Sequence, residues 1–148
     1  LIVTLRFEAI KKADNLLRIV CFFRIFAYLK PTKYDTTMVI DFDKIAEAHI
    51  MDFKGGKGPL DTRSYSDGRV KIMYSTLRPG SSTGLHTHEQ NSEVIFIISG
   101  EATFHYDGQT EVVRVGQCHY CPQGHSHYME NLTDHDLVYF AIVPEHHQ

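Results

Sequence analysis

Residues 80–100 read GSSTGLHTHEQNSEVIFIISG, and the fold of the chain turns on them. His86 and His88 stand two residues apart. Alternate residues of a strand share a face, so both imidazoles can point into one cavity. The polar stretch Glu89-Gln90-Asn91-Ser92 suits a turn, and it brings Glu93 back toward the two rings. Val94–Ser99 is nearly all apolar, which predicts a strand covered on both faces.

Outward from this stretch the chain reads as a row of short strands. Val70, Ile72, Tyr74 and Thr76 alternate with Lys71, Met73, Ser75 and Leu77. Ala102, Phe104 and Tyr106 alternate before the tight-turn pair Asp107-Gly108. Val112, Val113 and Val115 lead to Gly116, and His119–Cys121 is extended up to the turn Pro122-Gln123-Gly124. Leu137–Val143 is the last strand, closed by Pro144. Strands of this length, spaced by Gly, Pro and Asp, predict an all-β sandwich or barrel. The segment Asp52–Gly68, with Gly55-Gly56-Lys57-Gly58-Pro59, reads as a flexible loop. It lacks the spacing of a phosphate loop.

A second stretch, residues 116–131, reads GQCHYCPQGHSHYMEN and places His127 at the start of a strand. Three imidazoles and one carboxylate suit a divalent transition metal. A lone His-x-His is equally well read as two surface histidines, but here the spacing continues. Gly80, His86-Thr87-His88, Glu93 and Gly100 are followed by Gly116, Pro122, Gly124, His127 and Asn131, with Glu101–Val115 between the two groups. In this the chain resembles the cupin superfamily, whose two motifs occupy 80–100 and 116–131. The resemblance implies a double-stranded β-helix, a jelly-roll barrel. It implies metal ligands His86, His88, Glu93 and His127 in the barrel mouth, with Asn131 bonding backbone at a turn. The metal would be one divalent ion of iron, manganese, nickel, zinc, cobalt or copper.

Composition adds limits. The 148 residues carry a formal charge of −3, ten histidines and three cysteines. Residues 1–37 hold seven basic and three acidic residues, and residues 38–148 hold eight and fifteen. Nucleic acid is not expected as a partner, since phosphate binding runs on clustered Lys and Arg. Three cysteines cannot all pair within one chain, which argues against a disulfide framework and fits a reducing cytoplasm. The chain therefore divides into an N-terminal extension, 1–37, and a cupin domain, 38–148. The apolar run Leu16–Leu29 is too short and too charged to cross a bilayer. The extension is either an upstream or non-native segment or a helix for a membrane surface or a dimer contact. Met38–Phe42 reads as a strand that a homodimer could exchange.

Other residues invite over-reading. Cys118 and Cys121 would diverge from one strand and read as buried, inert thiols. His125 is expected at the rim of the site and His119 in the core or behind the ligands. His105 and Tyr106 are expected at the surface, and His146-His147 in a tail, while His49 and His135 have no evident partner. Arg78, Lys71 or Tyr74 could hold a carboxylate or an enolate. By resemblance the chain is a small metalloenzyme of dioxygenase, isomerase, decarboxylase or lyase type acting on an oxygen-rich organic substrate. The metal would serve as Lewis acid or O₂ site, with Glu93 doubling as a base. The alternative is a non-catalytic module that binds or senses a small molecule.

Overall fold

Alternation of inward and outward side chains builds the barrel. The computed structural model describes residues 38–146. The expectations placed on residues 1–37 and on His147 lie outside the described residues. Ten strands follow in order: β1 Ala48–Met51, β2 Pro59–Ser66, β3 Val70–Leu77, β4 His86–Thr87, β5 Glu93–Ser99, β6 Glu101–Tyr106, β7 Gln109–Arg114, β8 Cys118–Cys121, β9 Ser126–Glu130 and β10 Leu137–Pro144. They form two antiparallel sheets, β1-β2-β3-β10-β5-β8 and β4-β9-β6-β7. β10 lies between β3 and β5, and β9 between β4 and β6, the interleaving of a jelly roll.

β10 shows the rule at its cleanest. Leu137, Tyr139, Ala141 and Val143 are buried, while the residues between them are not. They share the core with Leu77 and Ile97 on the two flanking strands and with Phe104 and Met129 of the opposite sheet, all almost free of solvent contact. Each such side chain contributes about 1.5–3 kcal/mol by leaving water. Gly100 turns β5 into β6 at φ +85°, and a Cβ there would stand 2.8 Å from the Asp136 carbonyl oxygen. Only glycine meets both demands.

Three expectations are corrected. Met38–Phe42 is not a strand: a short 3-10 helix covers Phe42–Lys44, and Asp41 Oδ1 accepts from the Asp43 N–H at 3.2 Å. An aspartate bonding its own backbone competes with ladder pairing. Asp52–Gly68 is not a loop throughout, because β2 fills Pro59–Ser66. That strand hid because it buries polar groups, one on each of its faces. Thr62 Oγ1 meets Ser75 Oγ at 2.8 Å, and the buried Asp61 pairs with Arg78 and His49. Finally, β5 is covered on one face only, with Phe96 43% and Ile98 39% exposed on the other. Among the described residues, no helix is long and apolar enough to cross a membrane.

Candidate metal centre

Register places the four residues together. His86 on β4 faces His127 on β9 as a direct cross-strand partner. The pairing continues past the end of β4, with the His88 N–H bonded to the His125 carbonyl at 3.0 Å. His88 therefore keeps the inward face while Thr87 points to solvent. Glu93 enters from the opposite sheet, as the first residue of β5. All four side chains are largely shielded from solvent and line one cavity of 530 Å³.

Their inner atoms converge. His127 Nε2 lies 3.0 Å from His88 Nε2 and 3.1 Å from His86 Nε2. Glu93 Oε2 lies 3.0 Å from His127 Nε2, 3.2 Å from His88 Nε2 and 3.9 Å from His86 Nε2. Two ligand atoms at right angles on bonds of about 2.1 Å stand about 3.0 Å apart, so the spacing fits one transition cation.

The outer nitrogens explain why the inner ones are available. His86 Nδ1 donates to the Gly84 carbonyl at 2.9 Å. His88 Nδ1 donates to Asn91 Oδ1 at 2.6 Å, and Asn91 Nδ2 donates in turn to Glu145 at 3.1 Å. His127 has a longer support. The Glu111 carboxylate accepts from His119 Nδ1, so a neutral His119 offers Nε2 as acceptor to His127 Nδ1 at 3.0 Å. A neutral imidazole carries one N–H, so each Nδ1 bond leaves the Nε2 lone pair aimed at the common centre. Three lone pairs and a carboxylate at one point require a cation or protons.

The electrostatics agree. Burial pushes the Glu93 carboxyl up, but the bonds from His127, His86 and His88 outweigh it and hold it well below the usual carboxylate range. Burial opposes protonation at His88, yet its bonds to Glu93 and Asn91 raise it on balance. At His127 burial prevails and protonation becomes harder. Without a metal, this cluster shares protons that a cation would displace.

His119 was placed near the site by its sequence position, but its link to Glu111 was not foreseen. The two residues come from different strands, and no motif joins them. His119 also stacks on Phe104 with ring centroids 4.1 Å apart. His119, Cys121 and His127 form a second close group. Its two histidines already bond each other, His119 Nε2 to His127 Nδ1 at 3.0 Å, and burial pushes the Cys121 thiol up to about 11. Cys118 is exposed, against the expectation of a buried pair, and Cys121 is buried. His125 does sit at the rim, held by Asp107 and by the Tyr106 hydroxyl at 3.0 Å. His49 pairs with Asp61 at 2.5 Å, His105 with Glu130 at 2.8 Å and His135 with Asp134 at 3.4 Å. His146 bonds Ser92 at 3.0 Å, so it is no free tail. Asn131 is buried and donates to the Leu77 and His135 carbonyls at 2.9 and 2.7 Å, a turn brace and not a ligand. Of the three anion-holding candidates, Lys71 lines the cavity, whereas Arg78 is committed to Asp61 and Asp136. Tyr74 packs on Phe42 at 6.0 Å and is not in the cavity wall.

The family model described as a cupin domain matches residues 73–143. An oxalate-binding protein of Thermotoga maritima is 31% identical over 117 residues, covering 75% of this chain and 97% of that protein. The oxalate decarboxylase OxdC of Bacillus subtilis is 34% identical over 111 residues, 70% of this chain but 29% of that longer protein. Among solved structures, a predicted oxalate decarboxylase from Thermotoga maritima superposes with a TM-score of 0.69 at 30% identity, covering 73% of this chain and 99% of that one. A sugar phosphate isomerase from Silicibacter pomeroyi superposes at 0.61 with 17% identity over 72% and 75% of the two chains, a likeness of fold alone.

Proposed function

Because the chain belongs to the cupin superfamily, we propose that it is a metal-binding cupin whose cavity takes a small carboxylate, oxalate being the first candidate. One observation carries this reading. The outer bonds to Gly84, Asn91 and His119 turn three Nε2 lone pairs onto the point that Glu93 Oε2 also occupies. His86, His88, Glu93 and His127 would hold one divalent transition metal. When bound, such a metal supplies Lewis acidity toward carboxylate or carbonyl oxygens and, if redox-active, a site for O₂ chemistry. The chain's own part is to fix the donors, to keep the barrel interior dry and to admit the ligand through the open mouth. In an enzymatic cycle Glu93 is the group we assign to proton handling.

Two outcomes separate enzyme from binding module. Protein purified without chelator or nickel resin should carry close to one metal per chain. Metal-loaded protein should bind oxalate, and a decarboxylase would release carbon dioxide and formate from it. Binding without turnover would favour the second reading, a carboxylate-binding or sensing module. That reading has its own support: the match runs over nearly the whole oxalate-binding relative but under a third of the decarboxylase. Absence of metal would sink both. The proposal takes 38–148 as the cupin domain and 1–37 as an extension. It includes a homodimer, for which the outward apolar side chains Phe96, Ile98 and Tyr120 on neighbouring strands give support. A monomeric mass in solution would remove that element alone.

A further inference from the structure

The cavity lining carries charge that metal ligation does not use. It includes two cations, Lys54 and Lys71, and besides Glu93 two anions, Glu89 and Glu145. Glu145 is engaged by Asn91, and Glu89 is exposed. Lys54 pairs with no carboxylate among the described residues. The residue is exposed as a whole, and its ammonium lies 5.6 Å from the centroid of the Phe53 ring. Burial around that head group pushes its pKa down, while the Glu93 carboxylate pulls the other way. Its charge is also felt at His88. The ammonium thus sits within electrostatic reach of the four-donor cluster from the cavity side.

The backbone under Lys54 is built to keep it there. Asp52 and Lys54 adopt left-handed φ of 51° and 55°, which non-glycine residues take only at a cost. Asp52 closes the loop by accepting from the Gly58 N–H at 2.8 Å through Oδ1, and its own N–H donates to the Gly58 carbonyl at 3.0 Å. The loop lies flat on residues 82–84. The Gly84 N–H donates to the Phe53 carbonyl at 2.8 Å, and a Cβ on Gly84 would stand 1.9 Å from the Lys54 oxygen. Gly84 is also the residue whose carbonyl holds His86 Nδ1. A single glycine therefore sets both the metal-facing imidazole and the loop that carries the lysine, and their separation is fixed by backbone.

We propose that Lys54 is the specificity residue of the cavity, gripping the far carboxylate of a small dicarboxylate whose near oxygens face His86, His88, Glu93 and His127. This rests on the carboxylate reading of the site given above and names its ligand class: a compact dianion, not a monocarboxylate. A charge-assisted bond made at one end of the ligand adds affinity only for acids that have that end.

The test is calorimetric titration of the metal-loaded full chain with oxalate and with acetate, for wild type, Lys54→Met, Lys54→Arg and Lys57→Met, with metal content measured on each. Lys54→Met should weaken oxalate binding by about tenfold or more, the loss of one charged hydrogen bond. It should leave acetate within about twofold and metal content unchanged, and Lys54→Arg should recover most of the oxalate affinity. Oxalate affinity unchanged in Lys54→Met would overturn the proposal. So would an equal loss for acetate, or an equal loss in Lys57→Met, a charge-matched change on the same loop but outside the cavity lining, since either means a diffuse field in place of a contact. If wild type holds metal but binds neither acid, the carboxylate reading itself fails and this inference falls with it, an outcome distinct from the other three.

Discussion

Two histidines of the same turn and strand, His125 and His127, meet a carboxylate in different ways. His125 bonds Asp107 directly at the surface, beside Tyr106. His127 is almost solvent-free and reaches Glu111 only through the buried His119. The chemistry of the two pairs is alike. What differs is direction: the intermediate imidazole leaves His127 with its Nε2 lone pair pointing into the barrel, where two more imidazoles and Glu93 wait. A histidine becomes a ligand through what holds its other nitrogen, and proximity to an acid alone does not achieve it.

This contrast can be broken in steps. The largest effect is expected from His127→Ala or Glu93→Ala, which should abolish stoichiometric metal binding as read by elemental analysis of purified protein. Metal retained at full occupancy would refute the ligand set. The same site should bind metal more weakly as pH falls, because protons compete for the imidazoles, most of all at His88, whose bonds to Glu93 and Asn91 favour its protonated form. A chelator competition run from neutral to acidic pH measures this.

His119→Phe comes next. It preserves a ring against Phe104 but leaves the His127 Nδ1–H without its acceptor. Metal affinity should fall about 10- to 100-fold, and the tautomer of His127 in the metal-free protein, read by nitrogen NMR, should become mixed. An unchanged tautomer would show that packing alone orients the ring. Glu111→Gln should act in the same direction and less, since its carboxylate is half exposed to solvent that can take over part of its role. At the bottom of the scale, His125→Ala should leave metal binding unchanged and stability within about 0.5 kcal/mol, as for an ordinary surface pair. A loss of metal there would erase the distinction between the two histidines.

The parts that were legible share a property: each carries its own mark, a spacing or an alternation read along the chain. His86-x-His88, Glu93 and His127 are marked by spacing, and β10 by its alternation. The parts that were not legible depend on which strands become neighbours. Glu111 and His119 are eight residues apart with nothing between them to suggest a bond. β2 escaped notice because its buried residues include two polar ones on opposite faces, Thr62 toward the cavity with Ser75 and Asp61 on the other side under Arg78 and His49, so hydrophobicity does not trace them. Arg78 misled for the same reason. Its charge was visible, but its commitment to Asp61 and Asp136 required the fold. Lys54 lay inside a glycine-rich loop whose shape comes from Ser82–Gly84, residues nearly thirty positions on.

The direct pairing of His86 with His127 has a consequence for how the chain reaches its native state. A strand slipped by one residue sends every side chain to the opposite face. β4 is only two residues long, and backbone bonds from Thr83 to Met129 on one side and from His88 to His125 on the other hold its register; a slip would break them and turn His86 and His88 outward together. An ion that needs both imidazoles and His127 at once binds none of the slipped forms, so it stabilises the correctly aligned chain alone. In this barrel the cofactor would act as a proofreader of strand alignment before it acts on any ligand.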